Sequence, residues 1–137
     1  MTSSPAAVDT LERHFQDFGV SPADYDLIVT GDLGALGKQI VLEQTAKDGY
    51  DLSQNYDDCG VLLFSAKKQD VHSGGSGCGC SASVLCGHFL PMLERGELKN
   101  LLFCPTGALM SPTSSQQGES IPGICHALLL TGDGKPA

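Results

Sequence analysis

The sequence lacks any long apolar stretch. Its longest wholly apolar runs are four residues each, at 61–64, 101–104 and 127–130, whereas a membrane-spanning helix needs roughly 18–20 apolar residues. The first ten residues, MTSSPAAVDT, show no basic patch followed by an apolar core, so no secretory signal is visible. Without an export signal, the six cysteines are expected to be reduced thiols in a cytoplasmic protein rather than a disulfide framework.

Basic residues are also scarce. Eight Lys and Arg stand against sixteen Asp and Glu, which gives a formal net charge of −8. A nucleic-acid-binding domain should present a basic stripe, so this balance argues against that class. With 41% hydrophobic and 18% charged residues in a chain of 137, we expect one globular domain over residues 1–132 and a loose tail at 133–137.

Hydrophobic periodicity predicts alternating helices and strands. Helices are predicted at 4–18, 33–47 and 81–95, and strands at 26–30, 60–65, 98–104 and 123–131. Gly19, Gly49 and Gly96 are expected to end the three helices, and Pro91 to kink or shorten the last one. This order predicts an α/β fold: a mixed, mostly parallel sheet with helices on its faces and an antiparallel edge.

The most distinctive segment is VHSGGSGCGCSA at 71–82, which joins a predicted strand to a predicted helix. Its glycines let the backbone approach a ligand closely, and the free N–H groups at the helix start can hold an anion. Tight packing of the helix against a neighbour explains the same glycines equally well. A structural metal is a weaker alternative, because the spacing of Cys78, Cys80, Cys86 and the nearby histidines His72 and His88 departs from usual zinc motifs.

A second candidate segment is CPTG at 104–107, which follows a predicted strand. Ligands of parallel α/β sheets bind outside the carboxyl ends of the strands, and a cysteine there can act as a nucleophile or acid/base if a histidine lowers its pKa. Cys104 also fits a plain core residue. The combination of Cys104 with His72 is more informative, because both are predicted on loops that follow adjacent strands.

These two segments resemble the C-terminal half of the thiolase and ketoacyl-synthase superfamily. The resemblance places His72 at the histidine of the glycine-rich loop and Cys104 at the acid/base cysteine of those enzymes. Two departures are visible. Gly31 and Asp32 stand where the enzymes carry an Asn or His, and the chain lacks the N-terminal half with the nucleophilic cysteine, together with the first, central strand of its own sheet. A fragment or a split-gene product is therefore expected, with unpaired strand edges.

Longer runs resemble the stage V sporulation protein AD family, which is a non-enzymatic, thiolase-like family of endospore-forming bacteria. The runs are DYDLIVTGDLGALGKQI, NYDDCGVLLF, QDVHSGGSGCGCSA and TGALMSPTSSQQGESIPGICHA. The resemblance implies binding of dipicolinic acid, a role in its uptake with calcium into the developing spore, and partners in the same membrane transport assembly. It also implies a missing N-terminal half or a homodimer partner, and a location in the cytoplasm or at the spore inner membrane.

The expected ligand is a small dianion, so the expected site is a set of hydrogen-bond donors. We assign to it His72, Gly74, Gly75, Ser76, Gly77, Cys78, Gly79, Ser81, Cys104, Thr106 and Gly107. No cofactor, metal ligand or catalytic residue is predicted. The alternative is half of a thiolase-type acyltransferase that uses His72 and Cys104 as acid/base partners and takes its nucleophilic cysteine from another chain.

Overall fold

The computed structural model describes residues 3–65, 80–108 and 123–132. The helices are α1 (Ser3–Phe18), α2 (Gly34–Lys47), α3 (Cys59–Ser65), α4 (Cys80–Val84) and α5 (Leu90–Glu94), with a 3-10 turn at Pro22–Asp24 and a π-helical turn at Leu85–Phe89. The strands are β1 (Leu27–Thr30), β2 (Tyr56–Asp58), β3 (Asn100–Cys104), β4 (Thr106–Ala108), β5 (Gly123–Cys125) and β6 (Leu128–Thr131).

Four strands form a mixed sheet in the order β2-β1-β3-β6. β1 pairs in parallel with both β2 and β3, and β6 pairs antiparallel with β3. β4 and β5 form a separate antiparallel ribbon. The predicted α/β class, with a mostly parallel sheet and an antiparallel edge, is confirmed.

Helices cover both faces of this sheet. On one face, Leu11 and Phe15 of α1 and Val41 of α2 pack with Ile28 and Leu102 of the strands. On the other face, Phe89 and Leu93 pack with Val29, Leu101 and Phe103. Adjacent strand residues point to opposite faces, so the runs Ile28–Val29 and Leu101–Phe103 are buried on both sides.

The helix ends follow the glycines. Gly19, Gly49 and Gly96 all have positive φ angles, at 62°, 95° and 79°, and each lies just beyond a helical segment, as predicted. The helix predicted at 81–95 is interrupted before Pro91, where the π-helical turn precedes α5. Proline has no N–H to donate to the preceding turn, which explains why the helix restarts with Pro91 in its first turn.

The strand predicted at 60–65 is wrong, because these residues form α3. The strand of this region lies just before it, at Tyr56–Asp58, where neither a helix nor a strand was predicted. A short apolar run does not distinguish a buried strand from a buried helix. Here the helix is favoured because the carboxylate of Asp58 receives the N–H groups of Gly60 and Val61, in its first turn.

Two further expectations are corrected. Unpaired strand edges were expected within the sheet, but β1 and β3 pair directly, with Val29 opposite Phe103. The single strand predicted at 123–131 is divided into β5 and β6, because β5 pairs with β4 and β6 pairs with β3. Within the described ranges, no helix combines the length and apolar character needed to span a membrane.

Candidate functional site at the carboxyl edge of the sheet

The three parallel strands end at one edge of the sheet in a row of buried side chains. Thr30, the last residue of β1, lies opposite Asp58 of β2 on one side and opposite Cys104 of β3 on the other. All three residues are fully buried. In open α/β sheets, this edge is where ligands bind, so its occupants decide which chemistry is available.

Asp58 is the centre of this row. Its carboxylate accepts five hydrogen bonds, from Thr30 Oγ1 at 2.6 Å, Leu33 N at 3.0 Å, Gly34 N at 3.0 Å, Gly60 N at 3.0 Å and Val61 N at 3.3 Å. The four N–H groups belong to the starts of α2 and α3, where backbone donors have no partner within the helix. One carboxylate therefore satisfies the amino ends of two helices and supplies the negative charge that both helix dipoles favour.

Tyr56 extends the network away from Asp58. Its hydroxyl lies 2.7 Å from Thr30 Oγ1, and because Thr30 donates its proton to Asp58, Tyr56 must donate to Thr30. Burial raises the pKa of Tyr56 far above its usual value, which keeps the hydroxyl protonated as a donor. The chain Tyr56–Thr30–Asp58 is thus a closed hydrogen-bond relay inside the protein.

Cys104 lies beside Cys125, the last residue of β5. The hydrogen bond to Cys125, followed by burial, raises the pKa of the Cys104 thiol well above its ordinary value. The same hydrogen bond lowers the pKa of Cys125, and the Cys125 thiol also lies 3.8 Å from the carbonyl oxygen of His126, to which it donates. Thr10 of α1 donates to the carbonyl oxygen of Cys125 at 3.1 Å and ties β5 to that helix. Both cysteines are free thiols.

The chain also closes the edge between β1 and β4. The Thr106 hydroxyl donates to Asp32 Oδ1 at 3.0 Å, and the backbone of residues 105–106 passes close to Gly31. A Cβ atom at Gly31 would lie only 2.9 Å from Thr106 N, so only glycine allows this approach. Gly31 and Asp32 therefore both contribute to the local packing of this edge.

Three of the predicted site residues lie together at this edge. Cys104 ends β3, and Thr106 and Gly107 follow it in β4, where Gly107 is exposed and pairs with Ile124. Thr106 is engaged by Asp32 and Cys104 by Cys125, so each already has a partner within the chain.

The remaining predicted residues lie largely outside the described ranges. These are His72, Gly74, Gly75, Ser76, Gly77, Cys78 and Gly79. Ser81 belongs to α4, but its side chain is also outside the described part. The combination of His72 with Cys104 therefore stays a prediction. Cys86 and His88 of the metal alternative are both exposed, and the residues that the structure describes contain no cluster suited to a metal ion.

Sequence reasoning missed the residues that organise the edge: Thr30, Tyr56, Asp58 and Cys125. The one available signal was the NYDD sequence directly before an apolar run, because an Asp that caps a helix commonly stands there. A fully buried carboxylate is rare unless it is paired, so its burial could not be read from composition.

Known proteins match the sequence of this chain over nearly its whole length. The family model described as stage V sporulation protein AD matches residues 1–131. Stage V sporulation protein AD of Bacillus subtilis (strain 168) is 45% identical to it over 127 residues, which cover 93% of this chain and 37% of that protein. The chain thus spans little more than a third of the length of this curated relative. On this evidence, the chain belongs to the stage V sporulation protein AD family.

Proposed function

We propose that this chain is part of a non-catalytic sporulation protein that binds dipicolinic acid and supports its uptake, with calcium, into the developing spore. The observation that carries the proposal is the family match over residues 1–131. The proposed partners are the other proteins of the spore dipicolinate transport assembly, and the proposed location is the cytoplasm or the surface of the spore inner membrane.

The ligand is a planar dianion whose two carboxylates flank a ring nitrogen, so a site must supply several donors. The amino ends of α2 and α3 are not available, because Asp58 already accepts their N–H groups. The Lys38 ammonium group of α2 forms an ion pair with Asp57, with 3.0 Å between Nζ and Oδ1. The donors proposed for the ligand are therefore the backbone N–H groups of 74–79, the hydroxyls of Ser76 and Ser81, and His72.

The environment of Cys104 supports a binding role over acyl transfer. A thiolate is the reactive form of cysteine, and Cys104 is fully buried with a pKa raised well above its ordinary value. Its hydrogen-bond partner is another thiol, Cys125, rather than a histidine or a carboxylate. Asp32, at the position of the enzymes' polar residue, is engaged with Thr106 instead.

The test is ligand binding by the folded chain, with folding verified by circular dichroism. Dipicolinate is expected to raise Tm in a concentration-dependent way. Benzene-1,3-dicarboxylate, which keeps both carboxylates and lacks the ring nitrogen, is expected to raise it less, and acetyl-CoA not at all. Tm unchanged over a wide dipicolinate range would overturn the placement of the site in this chain, whereas a shift with acetyl-CoA would favour the acyltransferase.

Matched variants locate the site. His72→Ala is expected to weaken the dipicolinate shift, because it removes a donor of the proposed set. Cys86→Ser changes an exposed residue of the π-helical turn and is expected to leave the shift unchanged. Equal shifts in His72→Ala and the unsubstituted chain would remove His72 from the site.

A further inference from the structure

The proposed binding function gives no role to the contact between two thiols at the carboxyl edge of the sheet, those of Cys104 and Cys125. Cys104 ends β3, and Cys125 ends β5, opposite Thr106 in the β4–β5 ribbon. Cys125 packs against the apolar cluster that contains Cys104, and the residues next to the two cysteines are joined by a hydrogen bond from His126 N to the carbonyl oxygen of Pro105 at 3.3 Å. Cys104 is fully buried, whereas Cys125 is only partly buried.

We propose that Cys104 and Cys125 are a modification site, which a peroxide oxidises to an intramolecular disulfide in the folded protein. The geometry assigns a different role to each thiol. Cys125 is partly buried and can be reached by a small oxidant. Cys104 is buried, and its thiol reacts with the oxidised Cys125 in the second step. The disulfide would join the end of the sheet strand β3 to the ribbon strand β5.

The reaction balances with a peroxide as the oxidant. The sulfur of Cys125 attacks the peroxide; an S–O bond forms, the O–O bond breaks, and a sulfenic acid is produced with release of water or an alcohol. The sulfur of Cys104 then attacks the sulfenic sulfur; the S–S bond forms, the S–O bond breaks, and the hydroxyl leaves as water with the proton of Cys104. The two thiols lose two electrons in total, and the peroxide gains them.

The electrostatics agree with this division of roles. The hydrogen bond from Cys104 lowers the pKa of Cys125, and thiolate character favours attack on a peroxide. The pKa of Cys104 is raised, so Cys104 stays a thiol until the sulfenic acid forms next to it. Cys86 is exposed and Cys59 is buried. Cys86 therefore tests whether exposure alone makes a thiol react with the oxidant, and Cys59 tests whether a buried thiol reacts.

The test treats the folded, reduced protein with hydrogen peroxide and maps the products by non-reducing peptide mass spectrometry. We expect a cross-linked peptide pair containing Cys104 and Cys125, with the loss of two hydrogens. We also expect Tm to rise by about 5 °C, because the bond closes a loop of the unfolded chain; dithiothreitol should reverse both changes. A disulfide that instead joins Cys125 to a cysteine of 78–86, or a Cys104–Cys125 pair that stays reduced while Cys86 is oxidised, would overturn the proposal.

Two variants separate the roles without relying on the cross-link. In Cys104→Ser, the sulfenic acid of Cys125 is expected to persist and to be trapped by dimedone. In Cys125→Ser, Cys104 is expected to remain reduced, because no accessible thiol is left to start the reaction. Dimedone labelling of Cys104 in that variant would contradict the assignment, and Cys86→Ser is the control that should still form the disulfide.

Discussion

Asp58 and Glu12 both carry buried carboxylate oxygens, but their surroundings differ. Asp58, at the carboxyl edge of the sheet, is fully buried and accepts five hydrogen bonds, four of them from backbone N–H groups. Glu12, at the contact between α1 and α2, has a buried Oε1 with no hydrogen-bond partner. Burial and the neighbouring acids Asp48 and Asp9 raise the pKa of Glu12 to about 7.

The difference shows that donors, rather than burial alone, decide how a carboxylate behaves. Where the fold supplies backbone N–H groups from two helix ends, the negative charge is stabilised and binds the elements together. Where the fold supplies another acid, the side chain takes up a proton near neutral pH and donates it to Asp48. The first carboxylate holds the ends of two helices together, and the second makes stability depend on pH.

The largest expected effect tests the first half of this comparison. Asp58→Ala leaves four buried or partly buried N–H groups and the Thr30 hydroxyl without their acceptor, so the free energy of unfolding should fall by about 3–5 kcal/mol. Asp57→Ala removes the neighbouring acid, which forms a partly exposed ion pair with Lys38 and accepts from Asp58 N at 2.8 Å, and should cost only about 1 kcal/mol. Urea unfolding of both variants measures the difference. Should Asp58→Ala fail to fold, Asp58→Asn serves, and equal stability of Asp57→Ala and Asp58→Asn would contradict the role given to Asp58.

A smaller effect tests how tightly the same edge is closed. In Gly31→Ala, the new Cβ would lie 2.9 Å from Thr106 N, and displacing this backbone should cost about 1–3 kcal/mol. Gly107→Ala is the matched control, because a Cβ there meets nothing within 4 Å, and it should change stability by no more than about 0.5 kcal/mol. Thermal or urea unfolding gives both values. A Gly31→Ala protein as stable as the control would mean that the edge is looser than described.

The smallest effect tests Glu12. Its pKa is raised from an ordinary 4.5 to about 7, so between these values the folded state holds a proton that the unfolded state has released. The stabilisation from this proton is complete below about pH 4.5 and is lost as the pH rises to about 7. Glu12→Gln keeps a donor towards Asp48 without the charge, so its urea midpoint should exceed that of the unsubstituted chain at pH 8 and approach it at pH 5.

Glu43→Gln is the control for this pH series. It removes an exposed carboxylate of α2 that accepts from Gln39 at 2.7 Å, and its urea midpoint should change with pH in parallel with that of the unsubstituted chain. The pKa of Asp48 is lowered, so this carboxylate is ionised from pH 5 to 8. It affects the pH dependence of stability only below that range. If the urea midpoint of Glu12→Gln also changes in parallel with that of the unsubstituted chain from pH 5 to 8, Glu12 does not hold a proton that it shares with Asp48.

The sequence predicted the parts of this fold that have a clear period or a clear end signal. α1 was predicted from Val8, Leu11, Phe15 and Phe18, which recur at helical spacing, and its end from Gly19. The first three side chains are buried, whereas Phe18 is exposed. β2 and α3 were not predicted correctly, because their boundary depends on Asp58, a contact between residues far apart in the chain. An Asp next to an apolar run is usually exposed, and only the donors of α2 make this one buried.

The candidate site could be predicted only in outline. CPTG was correctly placed at the end of a strand, where Cys104 and Thr106 now lie at the carboxyl edge. Their partners Cys125 and Asp32 were not identified, since hydrogen bonds across the sheet leave no local pattern in the sequence. The glycine-rich segment 71–79 lies outside the described residues, so its part in the site remains a prediction.

The central claim is that Asp58 fills the amino ends of α2 and α3, so that dipicolinate must use the donors of the glycine-rich segment. Amide chemical shifts of the folded, isotope-labelled chain, followed by NMR during a dipicolinate titration, test this claim directly. We expect saturable shifts of amides within 72–81 and at Thr106 and Gly107, while the amides of Leu33, Gly34 and Gly60 stay in place. Shifts concentrated at Leu33, Gly34 and Gly60, or an unchanged spectrum at high dipicolinate concentration, would contradict it.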